Sequence, residues 1–164
     1  MVLDPLLQWL QATSFATAIS ENEILFPWIE SIHVLAITLV IGTISIVDLR
    51  LLGLASLDRA VHRLMREVLP YTWGTFAVAA ITGGLLFCSN ATTYGHNLYF
   101  QGKIILLLLA GVNMAGFHLF FGRDVERWSV GQRPPLTARA AGATSLGLWI
   151  AVVAFGRWIG FTLH

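Results

Sequence analysis

Five side chains that could bind a cofactor, hold a metal ion or carry a proton lie in stretches of otherwise apolar sequence: Glu30, His33, Asn113, His118 and Arg157. Polar and ionisable side chains are costly in a membrane interior, so each is predicted to be functional. Glu30 and His33 are three residues apart, which puts both on one face of a helix. A carboxylate and an imidazole share a metal at this spacing in di-iron bundles, although the second such pair of a di-iron site is missing. The alternative is a hydrogen-bonded pair in which Glu30 orients the His33 ring.

The composition of this chain indicates a membrane protein. The 164 residues suffice for about one domain, and 56% of them are hydrophobic while only 12% are charged. This is about half the charge of a soluble domain, which argues against a soluble enzyme or a disordered tail. A net charge of +1 without a basic run argues against nucleic-acid binding. The single cysteine cannot close an internal disulfide, and no motif supports soluble-type catalysis.

A helix needs about 20 apolar residues to cross the hydrocarbon core of a bilayer. Four stretches meet this requirement, at residues 25–47, 69–88, 99–121 and 140–163. We therefore predict an all-α fold, a polytopic membrane protein with a four-transmembrane-helix bundle over residues 24–164.

Residues 1–23 are predicted to form an amphipathic segment that lies on the membrane interface. Asp4 suits the N-cap and Pro5 the first position of a helix. Leu3, Leu6, Leu7 and Leu10 would then share one face, and we predict a short amphipathic helix over residues 4–17. The alternative is a frayed tail.

Arginines in the loops predict the orientation of the bundle. They follow the first and the third span, whereas the segment before the first span has no Lys or Arg. Both termini are therefore predicted to be periplasmic, in a bacterial inner (cytoplasmic) membrane. The loop arginines are Arg50, Arg59, Arg63 and Arg66, and then Arg123, Arg127, Arg133 and Arg139.

The ionisable residues of the first and third spans share helix faces with apolar residues. Lipid would penalise a carboxylate, so the first of these stripes is predicted to face the bundle interior. The first-span stripe consists of Glu30, His33, Ile37, Ile41, Ile44 and Asp48. The third-span stripe consists of Lys103, Leu107, Gly111, Met114 and His118, with Asn113 nearby.

Two ionic contacts are predicted for these residues. Asp48 and Arg50, at the inner end of the first span, are expected to join an interfacial ion network with Arg66 or Arg123. Arg157, near the outer end of the fourth span, is expected to pair with Glu30 because both should lie in the outer third of the membrane.

Small residues recur at the spacing that lets transmembrane helices approach closely. Gly156 and Gly160 form a GxxxG pair, and three further small-residue pairs have the same spacing: Ala79 with Gly83, Ala80 with Gly84, and Gly111 with Ala115. One interpretation is tight helix crossings; the other is room for a planar cofactor.

The histidines are candidates for the axial ligands of a b-type haem or for metal binding. His33 is predicted about 10 Å and His118 about 25 Å below the outer edge of the membrane, from a rise of 1.5 Å per residue. Two separate sites fit these depths better than one haem between both residues. His33 could then pair with His96 or His164, and His118 with His62. The alternative for each histidine is a hydrogen-bonded polar residue in a helix interface.

The chain resembles a family of small bacterial inner-membrane proteins of unknown function over nearly its whole length. The motifs that carry this resemblance are Glu30-x-x-His33-Val34-Leu35, Gly42, Asp48-Leu49-Arg50-Leu51-Leu52-Gly53, Pro70-x-x-Trp73, Ala110-Gly111-x-Asn113 and Phe117-His118. It is more distantly similar to copper-resistance protein D-like and cytochrome b-like four-helix proteins. The close resemblance implies a four-helix fold without an activity, and the distant one implies haem or copper. Only three methionines and no Met-x-x-Met cluster argue against copper.

Three functions remain open. The first is a redox protein in which His33 and His118, supported by Glu30, Asn113 and Arg157, bind haem b and pass electrons to or from a quinone or a periplasmic partner. The second is a transporter or channel subunit for a proton or a small solute, in which Glu30, His33 and Arg157 form a relay and a homo-oligomer supplies the pore. The third is a structural or assembly subunit without a cofactor.

Overall fold

The structure is a computed structural model that describes residues 4–122, 124–128 and 130–162. Every regular element in these ranges is helical, which confirms the predicted all-α fold. The elements are a 3-10 helix at Val125–Arg127 and the α-helices α1 (Asp4–Gln11), α2 (Ser14–Ser20), α3 (Leu25–Leu52), α4 (Val61–Ser89), α5 (Ala91–His96), α6 (Leu98–Phe121) and α7 (Leu136–Thr162).

The helices α3, α4, α6 and α7 are long and apolar enough to cross a membrane, so the protein is a multi-pass membrane protein with the four predicted spans. Three of them extend beyond the predicted spans at one end of the bundle. The reason is that a run of apolar residues marks only the hydrocarbon, whereas helical hydrogen bonding continues into the interface. With 28 residues, α3 is about 42 Å long, against a hydrocarbon core of ~30 Å. Residue 163 of the fourth predicted span lies outside the described residues.

The two ends of the bundle differ in character. One end carries the loop between α3 and α4 and the segment between α6 and α7, and we call it the arginine-rich end. It bears Arg50, Arg59, Arg63, Arg66 and Arg133. The opposite end carries α1, α2 and α5, and we call it the cap end.

The N-terminal segment forms two short helices, so the prediction of one helix over residues 4–17 is wrong. Thr13 interrupts it, because its hydroxyl donates a hydrogen bond to the Leu10 carbonyl oxygen (2.8 Å) and accepts one from the Ala16 amide (3.3 Å). Side chains of this type compete with helix continuation and start a new helix as N-caps. Leu3 of the predicted leucine face lies outside the described residues.

The N-terminal segment also packs on α5, and the leucines of its predicted apolar face do not share one environment. The Gln11 side-chain oxygen accepts hydrogen bonds from the amide and the hydroxyl of Thr92 in α5. Leu7 lies against Gly95 of α5, while Leu6 remains exposed. The cap end is therefore closed by α1, which packs on α5, and by α2, which packs on α4.

The four spans are arranged so that one side of the bundle stays open. α3 packs against α4 and against α7, and α7 packs against α6. α4 and α6 make no extensive contact with each other along their length. They are connected at the cap end by α5, and the 3-10 helix that follows α6 contacts α4 at the arginine-rich end.

An apolar core closes the bundle at the arginine-rich end. Trp128 packs in ring contacts on Phe117 and Phe121, with centroid distances of 6.4 and 6.0 Å. Gly53 ends α3 with φ +73°, a left-handed conformation that glycine adopts without the steric cost of a side chain. The buried members of this core are Val47, Leu51, Val61, Phe117, Val125 and Ala138.

Arg50 holds the segments at this end together. Its side chain is 0% exposed, and its Nε donates a hydrogen bond of 2.8 Å to the carbonyl oxygen of Arg59, in the loop that leads to α4. The two terminal nitrogens lie 3.3 and 3.4 Å from the carbonyl oxygen of Gln132, in the segment that leads to α7. Backbone carbonyl oxygens of both connecting segments therefore bind this guanidinium.

We predict that Arg50→Lys lowers the free energy of unfolding by about 1.5–3 kcal/mol, the size of hydrogen bonds to a charged group. A lysine ammonium cannot reach both carbonyl oxygens in the fork geometry of a guanidinium. Chemical unfolding in detergent measures the loss. The control is Arg63→Lys, whose exposed contact with Glu67 should matter by less than about 0.5 kcal/mol. Equal effects of the two substitutions would contradict the role of Arg50.

Candidate functional site

A cavity of about 270 Å³ lies between the four spans, in the half of the bundle next to the arginine-rich end. Its walls are almost entirely apolar, and four aromatic side chains contribute to them, namely Trp73, Phe76, Phe117 and Trp149. Five polar side chains line it as well: Asp48, Thr72, Asn113, His118 and Ser145. An apolar pocket with a few convergent polar groups is the usual form of a small-molecule site.

Asp48 is the most unusual residue of this cavity. It is only 4% exposed, and the Ser145 side chain of α7 lies beside its carboxyl group. Its second oxygen, Oδ2, is buried and has no hydrogen-bond partner among the described residues. Leaving a buried acceptor unsatisfied costs about 1–3 kcal/mol. The cavity therefore contains a carboxyl oxygen that no described residue of the protein binds.

The predicted ion network of Asp48 and Arg50 is not formed as expected. The two side chains are two positions apart on α3 and so point about 200° apart around the helix. Asp48 consequently faces the cavity, while Arg50 faces the loops. Arg66 is exposed and makes no ion pair with Asp48, and Arg123 lies outside the described residues.

His118 and Asn113 of α6 add two further open acceptors. The Nδ1 atom of His118 lies 2.9 Å from the Met114 carbonyl oxygen, which can only accept, so Nδ1 carries the proton and Nε2 has a free lone pair. The Asn113 amide nitrogen donates to the Ala141 carbonyl oxygen at 3.1 Å, which leaves its side-chain oxygen as an acceptor. The predicted inner site at His118 thus coincides with the cavity.

The cavity opens sideways, through the gap between α4 and α6. Several lining residues are exposed, and they lie on these two spans, which make no extensive contact. Trp73 of α4 is 52% exposed, and Met114 and His118 of α6 are exposed as well. The opening therefore lies between two of the helices that are long and apolar enough to cross a membrane.

His33 lies outside this cavity, in the half of the bundle next to the cap end. Its Nδ1 is 2.9 Å from the Thr82 hydroxyl oxygen, and that hydroxyl donates its own proton to the Val78 carbonyl oxygen at 2.7 Å. Nδ1 is therefore the protonated nitrogen. The ring lies on Gly83, where an added Cβ would be 2.8 Å from His33 Cε1. This is the alternative predicted for His33, a hydrogen-bonded polar residue in a helix interface.

The other predicted site residues are not brought to His33 or to the cavity. Glu30 is exposed, so the prediction that it faces the interior is wrong; it lies in the second turn of α3, at the interface. Burial and the nearby Glu30 carboxylate raise the pKa of Tyr94 in α5. Arg157 makes no ion pair with Glu30, and its guanidinium lies 4.8 Å from the Phe161 ring centroid. His62 is exposed on α4.

The described residues contain no group of three or more His, Cys, Asp or Glu side chains that could hold a metal ion. His96, a predicted partner of His33, instead binds Asp4 (3.0 Å) and the Thr92 carbonyl oxygen (2.8 Å) at the cap end. His164 lies outside the described residues. Lys103, on the predicted third-span stripe, lies with its side chain along Gly156 of α7, 3.5 Å from the position of an added Cβ.

We predict that Asp48→Leu raises the free energy of unfolding by about 1–2 kcal/mol, because it removes a buried acceptor without a partner. Residues kept for function often reduce stability in this way. Ser145→Ala should act in the opposite direction, since it removes the hydroxyl group that lies beside the buried Asp48 carboxyl. Thermal and chemical unfolding in detergent measure both variants. A loss of stability in Asp48→Leu would make Asp48 a structural residue.

We predict that Gly83→Ala lowers the free energy of unfolding by about 1–3 kcal/mol, because the new methyl group would displace the His33 ring. Gly84→Ala is the matched control, since its added Cβ meets nothing within 4 Å. That variant should be neutral or slightly stabilising, as alanine is the better helix former by about 1 kcal/mol. Unfolding in detergent measures both, and equal effects would refute the packing of His33 on Gly83.

Comparison with known proteins gives one match. A model of the family of unknown function DUF6644 matches residues 7–162. No curated protein and no solved structure matches the chain. The expected membership of a family of unknown function is therefore confirmed, whereas nothing supports similarity to copper-resistance protein D or cytochrome b. The chain belongs to the DUF6644 family, whose function is unknown.

Proposed function

We propose that this protein takes a small, mainly apolar molecule from the bilayer and holds it in the cavity beside Asp48 and His118. The observation that carries the proposal is the Oδ2 atom of Asp48, which is buried in the cavity wall without a hydrogen-bond partner among the described residues. A bound molecule that donates a hydrogen bond to this oxygen would offset the cost of burying it.

The route of entry supports a ligand dissolved in lipid. The cavity opens between α4 and α6, where Trp73 and Met114 are exposed toward the hydrocarbon. Its volume of about 270 Å³ is just below the ~300–1,000 Å³ of most small-molecule pockets. A single ring system with small substituents suits this volume, and a longer apolar tail would remain between the two helices.

The distribution of arginines supports a location of this site in the inner half of the membrane. Short loops rich in arginine stay on the cytoplasmic side, so the arginine-rich end would face the cytoplasm and both termini the periplasm. The membrane would be the inner membrane of a bacterium. The cavity would then be reached from the cytoplasmic leaflet.

A second candidate function is electron transfer by a b-type haem held at His118. The tautomer of His118 favours it, because a proton on Nδ1 leaves Nε2 free to ligate a metal. Met65 of α4 also lines the cavity and could supply the second axial ligand. His33 would not take part, since it lies outside this cavity. Bound haem would supply one-electron chemistry, and the protein would hold it and shield it from water.

We predict that the purified protein carries a small apolar molecule that can be extracted with organic solvent and identified by mass spectrometry. Gly111→Trp should abolish this, because Gly111 lines the cavity and an indole there would fill it. Gly74→Trp is the control, since Gly74 is an exposed glycine of α4 that does not line the cavity. We expect one molecule per chain in the wild type and in the control, and none in Gly111→Trp.

An absorption spectrum of the same samples separates the two candidates. A Soret band that is lost in His118→Ala and kept in His33→Ala would establish the haem site and overturn the lipid-soluble ligand. Equal amounts of extracted molecule in the two tryptophan variants would locate any ligand outside the cavity and refute the proposal.

A further inference from the structure

Several hydrogen-bonding atoms in the cavity wall have no partner in the protein among the described residues. They limit the chemical class of the ligand, in an inference that rests on the proposed function. Three side chains offer acceptors: Asp48 through its unpartnered Oδ2, His118 through Nε2, and Asn113 through its side-chain oxygen. The position of each acceptor atom is held by another contact of the same side chain or by burial. The site is therefore suited to a ligand that carries hydrogen-bond donors.

Few donors in the wall remain free to bind an acceptor on the ligand. The Thr72 hydroxyl donates to a backbone carbonyl of its own helix at 3.2 Å, and the Ser145 hydroxyl lies beside the Asp48 carboxyl group. The indole N–H groups of Trp73 and Trp149 and the second N–H of the Asn113 amide are the donors that are left among the described lining side chains. A molecule with acceptors alone, such as a ketone or a quinone, would leave the buried Oδ2 atom of Asp48 unsatisfied and is therefore a poorer match than one with hydroxyl groups.

Two of the acceptors lie on different helices, Asp48 on α3 and His118 on α6. A cationic amine carries all its donors on one nitrogen, so it would satisfy both only where the two acceptors lie close to that single atom. A flat ring with two hydroxyl groups can donate to both, while its faces pack on the aromatic side chains of the wall. Phe76 and Phe117 are among those aromatic side chains.

We propose that the ligand is a quinol, a ring with two hydroxyl groups that donate hydrogen bonds to Asp48 and His118, and whose apolar tail leaves the cavity between α4 and α6. The oxidised form of the same molecule lacks both donors. The protein should therefore bind the quinol more tightly than the quinone. A tenfold preference would raise the midpoint potential of the bound two-electron couple by about 30 mV.

The test uses the full chain in proteoliposomes with a decyl-substituted benzoquinol, the corresponding quinone and a naphthoquinol of similar size. Quenching of tryptophan fluorescence reports binding, because Trp73 and Trp149 line the cavity. We expect the wild type to bind at least one of the quinols tenfold or more tightly than the quinone. Asp48→Asn should bring this ratio close to one, since its amide offers a donor as well as an acceptor.

Glu30→Gln is the matched control, because it makes the same change from carboxyl to amide on the same helix at an exposed position outside the cavity. It should retain the tenfold ratio. If Asp48→Asn does not fold, His118→Gln serves instead, and it too should lose most of the preference. The midpoint potential of the bound quinone/quinol couple, measured independently, should lie above that of the unbound couple in the wild type and in Glu30→Gln. It should not be raised in Asp48→Asn or His118→Gln.

Two results would overturn the inference and leave the proposed function standing. One is equal or tighter binding of the quinone. The other is Asp48-dependent binding of the lipophilic cation tetraphenylphosphonium without binding of either quinol, which would make the site a cation site. A wild type that binds none of these probes and yields no molecule on extraction would overturn both.

Discussion

The guanidinium of Arg50, buried against the carbonyl oxygens of Arg59 and Gln132, determines how the arginine-rich end is built. A charged group without exposure to water must be satisfied by the protein, so both connecting segments must fold onto it. Because these segments lead into α4 and α7, they set where both helices begin. The same contact fixes the rotation of α3 and thereby turns Asp48 to the opposite side, into the cavity.

The sequence predicted the spans well and their ends less well, for one physical reason. Hydropathy measures which residues tolerate hydrocarbon, and this property places α3, α4, α6 and α7 correctly. It does not report where helical hydrogen bonding stops. The end of α3 depends on the left-handed conformation of Gly53, and the break between α1 and α2 depends on the Thr13 side chain. Both are local contacts that an apolar pattern does not contain.

The candidate site was only partly predictable. The stripe of α3 correctly turns Asp48 inward, and His118 was a predicted ligand of an inner site. The depth estimate also separated His33 from His118, as the structure does. The sequence did not indicate that Glu30 is exposed, because a helical stripe carries no information about where the neighbouring helices end. The role of Trp73 and Met65 in the wall likewise depends on the packing of α4, which no local pattern specifies.

The gap between α4 and α6 is bounded at both ends, by α5 at the cap end and by the 3-10 helix at the arginine-rich end. It is therefore a lateral opening of limited height. On the proposed function, molecules that already partition into the membrane would enter through it, so the bilayer would act as the first filter of specificity. The occupancy of the site would follow the mole fraction of the ligand in lipid, and diluting the membrane with inert lipid would empty the site at constant total concentration.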